Sequence, residues 1–189
     1  MRSFIYYTAF PRRKQFPFAN FFQSASEKGK DAVMAPHGVF QLRPNKRKKR
    51  SPRWKDGREA LKGGYILSDC EGTPDVLLMA SGSEVEQMMA AQPILAAEGI
   101  KARVISMPCM ELFDEQSAEY RESVMPSAVR ARVSMEAGVT MPWYKYVGMD
   151  GKAIGIDTFG ASGPYKKLFP LYGITTEHVV EEAKKVLGK

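Results

Sequence analysis

Asp75-Val76-Leu77-Leu78-Met79-Ala80-Ser81-Gly82-Ser83-Glu84-Val85 decides the fold of this chain. Its first six residues form a short apolar run without polar alternation, the pattern of a strand buried on both faces. Ser81-Gly82-Ser83 then reads as a turn, with Ser83 capping a helix whose first turn carries Glu84 and Glu86 near its positive end. Downstream, Val85, Met88, Met89, Leu95 and Ala96 share one helical face, and Glu98-Gly99 closes the helix with a residue suited to a left-handed cap. Pro93 interrupts that pattern. An interior proline costs about 3 kcal/mol, so a kink or break is expected there.

Lys101-Ala102-Arg103-Val104-Ile105-Ser106-Met107 reads as the next strand, stopped by Pro108. Strand, amphipathic helix and strand in so short a span make a βαβ unit with parallel pairing and a right-handed crossover. A second, shorter helix is expected over 115–124 and further strands over 131–136 and 153–157. The last helix spans 176–187. Thr176 is its expected cap, Glu177 sits in its first turn, and Glu181 pairs with Lys185. Val179, Val180, Ala183, Val186 and Leu187 form its apolar stripe. The fold class is α/β: a three-layer, open, mostly parallel sheet with flanking helices.

The other third of the chain is of a different kind. The 189 residues carry a net charge of +7, but residues 1–60 hold 15 Lys/Arg against 4 Asp/Glu, and the remainder is net acidic. Pro11, Pro17, Pro36, Pro44 and Pro52 recur through the basic part, and Lys46-Arg47-Lys48-Lys49-Arg50 is a block of like charges. Residues 1–62 therefore read as a basic, poorly structured extension, and 63–189 as the α/β domain. The basic block has a second reading, as a nucleic-acid or nuclear-import element. Since short basic runs are common, no nucleic-acid partner is expected.

Few residues point to chemistry. His37 lies in the irregular part and His178 in the first turn of the last helix, so surface or packing roles suit both. Cys70 and Cys109 form no disulfide framework or zinc pattern. P-loop, HExxH, CxxC and Gly-x-Ser-x-Gly motifs are absent. The 81–83 turn and the Gly160-Ala161-Ser162-Gly163-Pro164 loop follow strands, and their backbone amides are suited to an anion. Tight strand-to-helix turns use the same residues for structural reasons alone. Glu111, Asp114, Glu115, Glu119 and Glu122 are spaced as a solvated face. Without a run of 18 apolar residues or a recognisable signal-peptide cleavage site, a cytoplasmic protein without a membrane partner is expected.

Several segments, in order, resemble one family. They are Lys62-Gly63-Gly64-Tyr65-Ile66-Leu67, Pro74 to Val85, Val104-Ile105-Ser106-Met107-Pro108, Glu136-Ala137-Gly138, Trp143-Tyr144-Lys145-Tyr146-Val147-Gly148 and Asp157-Thr158-Phe159-Gly160-Ala161-Ser162-Gly163-Pro164. This part of the chain resembles the C-terminal domain of transketolases. The resemblance implies an open α/β sheet in an enzyme that transfers two-carbon ketol units between sugar phosphates in the pentose phosphate pathway. It also implies that thiamine diphosphate and a divalent metal are held by the two preceding domains of that family. No catalytic, cofactor-binding or metal residue carries over to this chain, which is expected to bind no cofactor and to be inactive alone. The partners implied are a second copy, as homodimer, or the other transketolase domains, including those of a split enzyme. Residues 1–60 do not resemble the family; they read either as a genuine basic extension or as an out-of-frame translation of upstream coding sequence.

Overall fold

The computed structural model describes residues 30–34, 40–44 and 57–189. The chain divides into two compact units, Met1–Arg50 and Ser51–Lys189. In the first, strands β1 (Lys30–Met34) and β2 (Phe40–Pro44) pair antiparallel, with Ala32 opposite Leu42. This stretch reads as irregular in sequence because strands of five residues are too short for period-2 alternation to register. His37, the basic block 46–50 and the rest of residues 1–56 lie outside the described residues.

In the second unit, a 3-10 turn (Gly57–Lys62) leads into β3 (Tyr65–Ser68), β4 (Val76–Ala80), α1 (Val85–Ala97), β5 (Ala102–Ser106), α2 (Met110–Asp114) and α3 (Ala118–Val124). There follow β6 (Arg132–Met135), α4 (Tyr144–Val147), β7 (Lys152–Ile154), α5 (Tyr165–Leu171) and α6 (Thr176–Val186). The sheet order is β3-β5-β4-β6-β7. β5, β4, β6 and β7 run parallel, and only the edge strand β3 is antiparallel. This is the mostly parallel α/β sheet expected.

Period-2 alternation within β4 explains the three layers. Val76, Leu78 and Ala80 project into one core with Met88, Ala91 and Leu95 of α1 and Val179 and Ala183 of α6. Leu77 and Met79 project into the other, with Phe113, Val124, Trp143 and Tyr146 from α2, α3 and the α4 region. All five β4 residues are fully buried, as a continuous apolar strand requires.

Local details depart from expectation in four places. Pro93 lies inside a continuous thirteen-residue helix, which does not break. Burial of Met88, Ala91 and Leu95 holds the helix through the lost bond. The helix expected over 115–124 starts three residues later, as α3 (Ala118–Val124), because Ser117 leaves helical geometry and caps it by accepting from the Tyr120 amide at 3.2 Å. α6 is capped by Thr175, not Thr176; Thr175 accepts from His178 N at 3.3 Å while Thr176 Oγ1 donates to Gln87 on α1 at 2.7 Å. Ser83 caps nothing: Gly82–Glu84 is a 3-10 turn, and the Ser83 hydroxyl donates to Glu84 Oε2 at 3.1 Å. Gly99 does end α1 with φ +76°.

Candidate functional site

In an open parallel sheet, ligands gather beyond the carboxyl ends of the strands where strand order reverses. Here β4 leads to β5 on one side, while β6 and β7 lie on its other side, so the reversal falls between β4 and β6. The loops at that point are 81–84 and 136–140, and the 155–164 segment after β7 adjoins them. Short ties join them: Glu136 N donates to Ile154 O at 3.1 Å, and Ile156 N to Gly138 O at 2.7 Å. Asp157 accepts from both the amide and the hydroxyl of Thr140, at 2.9 and 2.8 Å.

Three carboxylates in these loops are each engaged by a donor in the same or an adjoining loop. Glu84, almost fully buried, accepts from Ser83; Glu136 accepts from the indole N–H of buried Trp143 at 2.6 Å; Asp157 holds Thr140. Those two Thr140 donors keep the Asp157 carboxyl below its ordinary value. A carboxylate at the 81–84 turn opposes a phosphate on the same amides, so the geometry does not favour an anion there. The 160–164 loop is exposed, and a methyl group at Gly160 would meet nothing within 4 Å. No group of three or more His, Cys, Asp or Glu side chains among the described residues could hold a metal.

The remaining titratable candidates serve the fold. His178 Nδ1 lies 2.8 Å from Gly173 O, and Nε2 lies 3.5 Å from Glu182, so the ring ties a turn to α6. Asp114 pairs with Lys145 at 2.5 Å; Glu122 accepts from the amide and hydroxyl of Ser127, which hold it below its ordinary value. Cys70 and Cys109 are free, and burial followed by the nearby Asp69 charge pushes the Cys70 thiol up, away from reactivity. At the opposite, amino edge, a groove of about 680 Å³ lies between Ser68–Glu71 and the end of α1. Ser68, Gln92 and Asp69 of its lining are engaged: Ser68 donates to Gln92, Gln92 to Ala102 O, and Asp69 takes both arms of Arg103.

The carboxyl edge also exposes large apolar side chains with no periodic sequence signal. Val139, Met141 and Tyr144 follow β6, and Phe159, Tyr165 and Leu171 follow β7. Residues 157 to 167 are exposed without a break, and Phe159 is 99% exposed. A reading tuned to acids, bases and anion loops passes over such a face.

Comparison with known proteins gives this architecture its kin. The family model described as Transketolase-like TK C-terminal domain matches residues 63–175. The chain belongs to this family. Transketolase 2 of Vibrio parahaemolyticus is 55% identical over 130 residues, covering 69% of this chain and 20% of the relative. Transketolase 1 of Escherichia coli is 53% identical over 126 residues, covering 67% and 19%. The solved transketolase from Leishmania mexicana superimposes with a TM-score of 0.65 at 36% identity, over 71% of this chain and 19% of that one. A split-gene transketolase solved as an inactive beta4 tetramer shares the fold at TM-score 0.52 and 23% identity, over 68% of this chain and 43% of that one. The chain thus spans about a fifth of the length of the curated transketolases it matches. No helix among the described residues is long and apolar enough to cross a membrane.

Proposed function

We propose that residues 63–189 act as the C-terminal domain of a cytoplasmic transketolase, supporting two-carbon ketol transfer between sugar phosphates without supplying a reacting group. The observation that carries this reading is the match to the transketolase C-terminal domain over a sheet whose carboxyl-edge loop residues Glu84, Glu136 and Asp157 are each engaged in loop structure. Thiamine diphosphate and its divalent metal do not fit the described residues, which offer no metal cluster and place a buried glutamate, Glu84, at the strand-to-helix turn after β4. In this reading both are held by the other domains of the enzyme, and no step of the transfer runs through residues 63–189.

The test is a chimera: E. coli transketolase 1 with its matched fifth replaced by residues 63–189 of this chain. Its ketol transfer should stay within about tenfold of the parent, since at 53% identity the replaced packing is largely kept. Loss of activity in a folded chimera, or turnover by the 189-residue chain alone with thiamine diphosphate and magnesium, would overturn the reading. A complementing subunit of a split transketolase is the second reading, favoured by the exposed apolar carboxyl edge.

A further inference from the structure

At the amino edge of the sheet, the groove between Ser68–Glu71 and the end of α1 has a volume of about 680 Å³, in the range of small-molecule sites. Its rim is braced. The Asp75 carboxylate accepts from the Lys101 amide at 2.8 Å, and the Asp75 amide donates to Lys101 O at 2.8 Å, which clamps the turn after β3 to the chain leaving α1. The Lys101 ammonium lies over that turn, where a methyl group added at Gly72 would be 3.8 Å from Nζ.

Two opposite charges on this rim are left over. Lys101 Nζ and the Glu71 carboxylate form no hydrogen bond or ion pair among the described residues, either with each other or with a third group. Asp69 does not balance Lys101, because both arms of Arg103 already hold it. Nor does the negative end of α1. Leu95 O accepts from the amides of Glu98 and Ile100, and Ala96 O from that of Gly99, so these carbonyls are closed off. The Lys101 charge is felt inside the groove: burial and Asp69 push the Cys70 thiol up, while Arg103 and Lys101 pull it down. On the floor, Gln92 Nε2 donates to Ala102 O at 2.8 Å and keeps a second N–H without an acceptor among the described residues. Pro93, Ala96 and Ile100 supply an apolar wall.

We infer that this groove binds a small zwitterion of the dipeptide class, its carboxylate on Lys101, its ammonium on Glu71, its amide carbonyl on the spare N–H of Gln92 and an apolar side chain along Pro93 and Ala96. Charge complementarity selects this occupant. A plain anion leaves Glu71 unanswered and a plain cation leaves Lys101 so, whereas a molecule carrying both charges answers both. The site lies at the end of the sheet opposite the loops where ligands of parallel sheets gather, and it does not depend on the function proposed above.

The test uses the two cysteines of the 189-residue chain. Cys70 lines the groove and Cys109 does not, so their alkylation by iodoacetamide, read by peptide mass spectrometry, reports occupancy with an internal control. The probes are alanyl-leucine, its N-acetyl form without the ammonium, and its C-terminal amide without the carboxylate. With a Kd of about 1 mM, alanyl-leucine at about 10 mM should slow alkylation of Cys70 about tenfold and leave Cys109 unchanged. Each blocked form should slow it less than about twofold. Lys101→Gln and Glu71→Gln, each measured with and without the dipeptide, should lose most of the protection while their unfolding midpoints move by no more than about 2 °C. Equal alkylation of Cys70 with and without alanyl-leucine overturns the inference. Protection by either blocked form as strong as that by the dipeptide does so too, since the groove then reads one charge or none. Parallel slowing of Cys109, or protection that survives both substitutions, places the effect elsewhere and counts equally against it. If a variant fails to fold, the three-probe comparison on the parent chain decides alone.

Discussion

Pro93→Ala should make this protein more stable. Pro93 is the ninth residue of the thirteen in α1, and it is exposed to solvent. It has no amide to donate to Met89, four residues back, and its ring crowds the same carbonyl. Against alanine that costs about 3 kcal/mol in a helix interior. Part of this returns through the unfolded state, because proline restricts the unfolded chain by about 0.4–1 kcal/mol relative to a freer residue. The net expectation is a gain of about 2 kcal/mol. A domain of this size shifts its midpoint by roughly 3–4 °C per kcal/mol, so the variant should melt about 7 °C higher. Guanidinium unfolding followed by far-UV circular dichroism gives the free energy, and calorimetry the midpoint. Ile94→Ala, at the neighbouring exposed position, is the control and should change stability by less than about 0.5 kcal/mol. A neutral or destabilised Pro93→Ala variant would refute the reasoning. It would mean that contacts of the proline ring along the amino-edge groove outweigh the missing hydrogen bond.

Other perturbations give outcomes of opposite sign. Gly63→Ala should cost about 3 kcal/mol or more, read by the same unfolding curves. Its φ is +80°, and a methyl group would lie 2.3 Å from Phe113 N and 2.4 Å from Cys109 O. Trp143→Phe removes the donor held by Glu136 and leaves a void in the second core, which should cost about 2–4 kcal/mol. Glu136→Gln keeps an acceptor and should cost less, about 1 kcal/mol, in parallel denaturation series. Glu122 and Asp157 are both held below their ordinary values by donors, Ser127 and Thr140. A depressed folded-state value means stability that is complete above about pH 5 and lost as pH falls through the folded values, below about pH 4. Midpoints measured from pH 6 down to pH 3 should therefore fall less steeply in the Glu122→Gln, Asp157→Asn double variant than in the parent.

Much of the α/β frame could be read from residue pattern because strong signals coincide there. β4 is an uninterrupted apolar run, so its burial on both faces follows from composition alone. In α6, Val179, Val180 and Ala183 recur at helical spacing, and Glu181 meets Lys185 at 2.7 Å, as the four-residue separation predicts. Weaker signals failed for stated reasons. β3 is a four-residue edge strand with a register shift between Ile66 and Ser68, too short and irregular to show alternation. α5 carries Pro170 inside it and buries no residue, so neither propensity nor an apolar stripe marks it. The Thr175 and Thr176 ambiguity is a one-residue choice between adjacent hydroxyls, settled by which one faces Gln87. At the candidate site, loop composition located the carboxyl-edge segments but not their use. Glu84 is six residues past the middle of a strand and one past a serine, and nothing in that spacing tells that its carboxylate folds back over the turn.

The corner at Gly63 is a seam. The Cys109 amide donates to its carbonyl at 2.9 Å, Tyr120 OH donates to Gly64 O at 2.9 Å, and Lys62 sits 4.4 Å over the Tyr120 ring. These contacts anchor the first residues of the domain to α2 and α3 before the edge strand begins. The preceding sequence reaches the sheet through one clamped stretch of backbone, so its exchange should leave the register of β3 undisturbed.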